Sequence, residues 1–150
     1  MSNEINKHIA LKAPLARVWR ALTDYQEFGT WFGVHIEAPF ALGQTARGKI
    51  THPGFEHVTW QVRITAIEPQ ALFAFTWHPY AVDPDADYSH ETPTLVEFRL
   101  QARDGGTLLH VRESGFDHVP EARRAEAFRM NEGGWAAQMD RVARHVDAAA

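Results

Sequence analysis

"FRMNEGGWAAQMDRVARHV", Phe128 to Val146, decides the fold. Phe128, Asn131, Trp135, Met139, Val142 and Val146 recur at steps of three or four, so one helix of about 25 residues carries a single apolar stripe. Inside it stand Gly133 and Gly134, each worth roughly 1 kcal/mol of helix stability against alanine. Gly134 lies ~100° around the helix from Trp135, beside the stripe. It is expected to let the backbone come close to a sheet or to a ligand. Gly133 lies nearly opposite Trp135 and is read as a slight bend wrapping the helix over its partner.

The partner is upstream. From Val34 to Gly115 the chain reads strand, turn, strand, with candidate strands "VHIEA", "QTARGKI", "VTWQVRITAI", "LFAFTW", "TLVEFRLQA" and "TLLHVRES". The turns between them, such as "HPGFE", "EPQA" and "RDGG", are too short for crossover helices, so successive strands are antiparallel. A further strand alternates Ile5, Lys7, Ile9 and Leu11 against Asn6, His8, Ala10 and Lys12. Pro14 then opens a helix with Leu15, Val18, Trp19 and Leu22 on one face, running to about Thr23. Asp24 and Glu27 form a capping box for a second short helix that carries Phe28, Trp31 and Phe32 and stops at Gly33.

About seven antiparallel strands twist into a curved sheet, and the long helix is the element left to cover its concave face. The fold class is α+β, a single domain over residues 1–150, with the two short helices closing one end. The alanine tail "DAAA", Asp147 to Ala150, is expected to fray.

Composition narrows the function classes. A formal charge of −4 offers no extended basic surface for nucleic acid, and no run reaches the length of a membrane span. There is no cysteine, hence no disulfide, thiolate metal site or thiol nucleophile. With no signal-peptide core in "MSNEINKHIALKAP", the chain reads as a cytoplasmic protein. Nine histidines show no zinc spacing, so no metal is expected. "DPDADYSHE" alternates acids like a calcium loop, but Tyr88 stands where glycine belongs, and the segment reads as an acidic, solvated loop placed to act as a lid. Phosphate-binding and hydrolase motifs are absent, and no cofactor is implied.

The order of elements resembles the helix-grip fold of the START-like (SRPBCC) superfamily. "IALKAPLARVWRALTD" with "FGTWFG", then "IEPQALFAFTWHP", then "GGTLLHVRESGF" with "NEGGWAAQMDRV" is similar to the activator of heat-shock protein 90 ATPase homologue group in its short single-domain bacterial form. The resemblance implies a cavity between helix and sheet that takes lipids, hormones or polyketides, in some members with cyclase activity. It also implies, from the eukaryotic namesake, a possible chaperone partner; that namesake carries an additional N-terminal module that has no counterpart here.

The residues themselves supply a candidate site. One alternate set from each strand faces the long helix: Trp60, Val62 and Ile64; Phe73, Phe75 and Trp77; Val96, Phe98 and Leu100. These oppose Phe128, Trp135 and Met139, and so many rings either pack solid or leave a cavity. Trp60, Phe75, Trp77, Phe98, Phe128 and Trp135 are the candidate walls. The polar exceptions are Glu113, inward with Leu109 and Val111, and Asn131, one turn before Trp135. Desolvation favours the protonated carboxyl, which would make Glu113 a candidate acid or base. Alternatively Glu113 reaches water or pairs with an arginine such as Arg129. Asn131 is suited to a ligand or to capping a loop backbone. Glu97, Arg99, Gln101, His110 and Arg112 read as a solvated outer cross-strand ladder.

Three functions follow. The leading one is binding of a small hydrophobic or aromatic molecule; the others are a polyketide cyclase or hydrolase-type enzyme in the same cavity and a chaperone-linked interaction protein.

Overall fold

Strand β1 (Glu4–Leu11) buries Ile5 and Leu11 and leaves Asn6 and His8 in solvent, as its alternation requires. This is the first element of a computed structural model that describes residues 3–83 and 85–147; of the tail expected to fray, Asp147 is instead the last residue of a helix, held by the Lys12 and Ala13 N–H groups, and 148–150 lie outside the described residues. Helices α1 (Leu15–Thr23) and α2 (Tyr25–Phe32) follow, then strands β2 (Val34–Ile36), β3 (Thr45–Ile50), β4 (Thr59–Glu68), β5 (Leu72–Trp77), β6 (Thr94–Arg103) and β7 (Gly106–Ser114). A single 3-10 turn at Phe116–His118 leads into helix α3 (Glu121–Asp147).

All seven strands form one antiparallel sheet in the order β1-β7-β6-β5-β4-β3-β2. The first two strands in sequence occupy opposite edges, and α1 and α2 bridge the distance between them. α3 crosses the concave face and buries Ala127, Trp135, Met139, Val142 and Val146. Its last residue closes the ring: the Asp147 carboxylate accepts the backbone N–H groups of Lys12 and Ala13, just past β1, at 3.1–3.3 Å. The fold is the expected helix grip.

Local expectations hold with two shifts. Pro14 is the residue before α1 rather than its first, because its ψ of 164° is extended; its carbonyl accepts the first N–H groups of the helix at 3.0 and 3.1 Å. Asp24 caps α2 by accepting from Gln26 and Glu27, but the box is half formed, since the Asp24 N–H goes to the Arg20 carbonyl. Glu27 is drawn instead to Arg17, Arg20 and His145, tying both short helices to α3. Burial works against its charge, yet these three partners hold its carboxyl below the usual range.

One half of the Gly134 expectation, close approach to the sheet, is overturned: a Cβ at Gly134, as at Gly133, would meet nothing within 4 Å. Close approach occurs at Gly29 in α2, where a Cβ would stand 2.3 Å from the Val34 carbonyl oxygen. A chain that reverses from α2 into β2 folds its own backbone back over the helix, and only glycine leaves room there.

Candidate functional site

The interior beneath α3 is packed solid at its centre. Phe75 and Phe98 are fully buried, Phe98 meets the Trp135 ring edge-on at 5.6 Å, and Phe28 packs against both phenylalanines and Trp60. Phe128 joins Phe116 at 5.0 Å and lines none of the hollows described below. Those three rings are therefore core, in the physical sense that their contacts are with other side chains.

Space opens at the rim. Three hollows of about 370, 150 and 340 Å³ share walls and together form a groove. Trp77 and Asn131 belong to the first two, Phe32, Gly134 and Gln138 to the last two, and Ile50, Val58, Tyr80 and Val82 to the first and third. One side is α3, another the ends of β3 to β5, and the third the segment after Trp77. Of the sequence-derived walls, Trp60, Trp77, Asn131 and Trp135 line it. Gly134 lines it too, so the missing side chain widens the groove; of the two approaches expected there, that of the sheet is not made. Two larger hollows lie elsewhere on the surface, beside α2–β2 and beside the β6–β7 turn, away from the aromatic floor.

Under the floor sits Glu113, fully buried. One carboxylate oxygen accepts the Trp77 indole N–H at 2.7 Å and the Thr94 hydroxyl at 2.6 Å. The other accepts the Trp135 indole N–H at 2.8 Å and the Asn131 amide at 2.9 Å. Four donors match the four lone-pair sites of a carboxylate. Neither alternative expected for Glu113 is realised: it does not reach water, and neither Arg129 nor any other arginine is among its partners. Asn131 spends its amide on Glu113 rather than on a loop backbone. The two indoles stack at 5.7 Å with 29° between planes, fixed by one anchor.

Polar satisfaction is incomplete along the groove. Among the described residues, the buried side-chain atoms with no protein partner are Trp60 Nε1, His78 Nδ1 and Gln138 Oε1. All three residues line the groove. Burial pushes the His78 imidazole below its ordinary basicity.

The segment from Pro79 to Glu91 is strapped down by Arg123 of α3. Its guanidinium bonds both Glu91 oxygens and the Pro79 carbonyl, and lies 4.8 Å over the Tyr88 ring. Asp83 and Asp87 turn their carboxylates to backbone N–H groups of the same segment. Among the described residues no group of acids and histidines is arranged to hold a metal.

Phe32, Tyr80, Arg123, Gln138 and Arg141 were not anticipated. Sequence held one signal for part of this set: Asn131, Gly134, Gln138 and Arg141 step by three and four along α3, a second stripe beside the apolar one.

No helix is long and apolar enough to cross a membrane. No curated protein sequence matches the chain. Among solved structures it is similar to protein MLL2253 from Mesorhizobium loti, with 23% identity, 97% of each chain covered and a TM-score of 0.75. It is similar to the Aha1 dimer from Colwellia psychrerythraea at 16% identity, covering 98% of this chain and 97% of that one, TM-score 0.73. It also resembles DynU16, a putative protein in the dynemicin biosynthetic locus, at 23% identity and TM-score 0.73; 97% of this chain spans 47% of that one, about half its length. These likenesses establish the fold. The family is settled by sequence: over residues 12–147 the chain matches the model of the Activator of Hsp90 ATPase homolog 1-like protein family, and it belongs to that family.

Proposed function

We propose that this protein binds a small, largely apolar molecule with aromatic character in the rim groove between α3, the ends of β3 to β5 and the strapped segment. One observation carries the reading: the three buried polar atoms that lack a protein partner all belong to groove residues. A buried donor or acceptor left unpaired costs about 1–3 kcal/mol. Among the described residues that cost is gathered in side chains that border the groove, where a turn of the ring or amide toward a guest with polar atoms would relieve it. The indole floor adds a flat apolar surface held rigid before any guest arrives, which lowers the entropy lost on binding. Similarity to a protein of a biosynthetic locus agrees with this reading at the level of fold.

Catalysis by Glu113 has weaker support, because both of its oxygens are occupied by donors and it stands behind the indoles. The chaperone-linked reading rests on the family description alone. A cytoplasmic setting fits a chain without cysteine.

The test is an NMR titration of the protein with a panel of polycyclic phenols, flavonoids and medium-chain lipids, repeated on Gly134→Leu. Binding should shift the Trp60, Trp77 and Trp135 indole N–H resonances, and the leucine should abolish it by filling the groove. Shifts that survive unchanged in Gly134→Leu, or a panel that moves none of the indoles, would refute the assignment.

A further inference from the structure

We infer that the guest is an amphiphilic anion, with its apolar body along the groove and a carboxylate at Arg141; this rests on the groove reading above. The chain holds 19 acidic and 15 basic residues, yet the groove walls include no aspartate or glutamate. The nearest acid to the floor is Glu113, which stands behind the indoles with its oxygens taken up by Trp77, Thr94, Asn131 and Trp135, so the walls themselves present no carboxylate to an anion.

Arg141 is the one arginine of the walls, half-buried at the end of the groove formed by Phe32, Phe55 and Tyr80. It takes part in no ion pair among the described residues. Its one hydrogen bond is long, 3.4 Å from Nη1 to the Phe32 carbonyl oxygen, which already accepts Gln138 Nε2 at 2.9 Å. On the same helix Arg123 is paired with Glu91, and Arg144, three residues on, with Asp140. Asp140, adjacent in sequence, is thus turned away from Arg141.

A guanidinium offers five N–H donors in a planar fork that fits a carboxylate with two parallel bonds. Beside it Phe55 remains 39% exposed, an unusual state for a phenyl ring. An unpaired fork next to an uncovered apolar ring is the complement of a molecule that is greasy along its length and acidic at one end.

The experiment is isothermal titration of matched pairs, 2-naphthoic acid with methyl 2-naphthoate and lauric acid with methyl laurate, against the wild-type chain, Arg141→Gln and Arg141→Lys. At least one acid should bind about tenfold more tightly than its ester, the worth of one charge-assisted pair at a half-exposed site. Arg141→Gln should remove that preference by weakening the acid far more than the ester, with the melting temperature held, and Arg141→Lys should keep part of it. Equal binding of acid and ester, or a preference that survives Arg141→Gln, overturns the anion inference while leaving the groove as a binding site. Failure of every acid and every ester to bind overturns both.

Discussion

Trp77 and Trp135 are held in one stack by the two oxygens of Glu113, which accept their indole N–H groups at 2.7 and 2.8 Å. The rings come from β5 and α3, so a single carboxylate locks the helix to the sheet at the floor of the groove. Among the described residues it has no cationic partner, and the carboxylate depends on its four neutral donors to offset the cost of leaving water.

Replacing Glu113 with glutamine keeps the shape but turns one acceptor into a donor facing donors. Glu113→Gln should lose about 2–4 kcal/mol of unfolding free energy, the cost of buried donors left unpaired around a charged site. Urea unfolding measures the loss, and a diminished near-ultraviolet tryptophan signal should accompany it. Stability within 0.5 kcal/mol of wild type, a routine surface-mutation effect, would show that the anchor is dispensable.

The glycines of α3 and α2 should respond in opposite directions. Gly134→Ala places a methyl in open space and restores helix propensity, so stability should rise by up to ~1 kcal/mol. Gly29→Ala drives a methyl into the Val34 carbonyl and should cost about 1–3 kcal/mol. Thermal melts of the two variants decide it; a destabilised Gly134→Ala would mean that the helix does approach something there.

Cutting the Arg123 strap should free the segment after Trp77 without unfolding the domain. Arg123→Ala should cost roughly 1–3 kcal/mol, and amide exchange should accelerate between His78 and Glu91 more than in the sheet. Glu91 is held below its ordinary 4.5, first by hydrogen bonds from Arg123. Its contribution to stability is therefore present above that value and is lost as pH falls below it. The wild-type strap should hold at pH 5 and loosen in stronger acid, a step that Arg123→Ala should lack.

Histidines set the response nearer neutrality. Burial lowers the basicity of His78, and burial together with the stacked His8 ring, 4.2 Å away, lowers that of His110. The unfolded chain takes up these protons near pH 6.5 and the folded chain only at lower pH, so stability is complete above 6.5 and declines as pH falls through and below it. Melting temperature should drop between pH 7.5 and 5.5, and the double variant His78→Asn, His110→Gln should show a flatter profile; an equally steep one would assign the drop to other groups.

What this chain's residue order determined by itself is the architecture. Alternation in β1 and β4, the three-and-four stepping from Phe128 to Val146 and the Asp24 cap each follow from backbone geometry repeated over short distances, and such periods are legible without a neighbour. The inward direction of Glu113 was legible for the same reason. Tertiary structure alone decided what Glu113 meets, that Phe75 and Phe98 fill the centre while the groove lies at the rim, and that Gly134 widens a hollow. Those outcomes depend on how closely α3 settles on the sheet and which ring takes which space, quantities fixed by packing among residues distant in the chain. Arg141 shows the limit most plainly: its position on α3 was readable, but that Asp140 pairs with Arg144, and that Arg141 takes part in no ion pair among the described residues, became facts only in the folded chain.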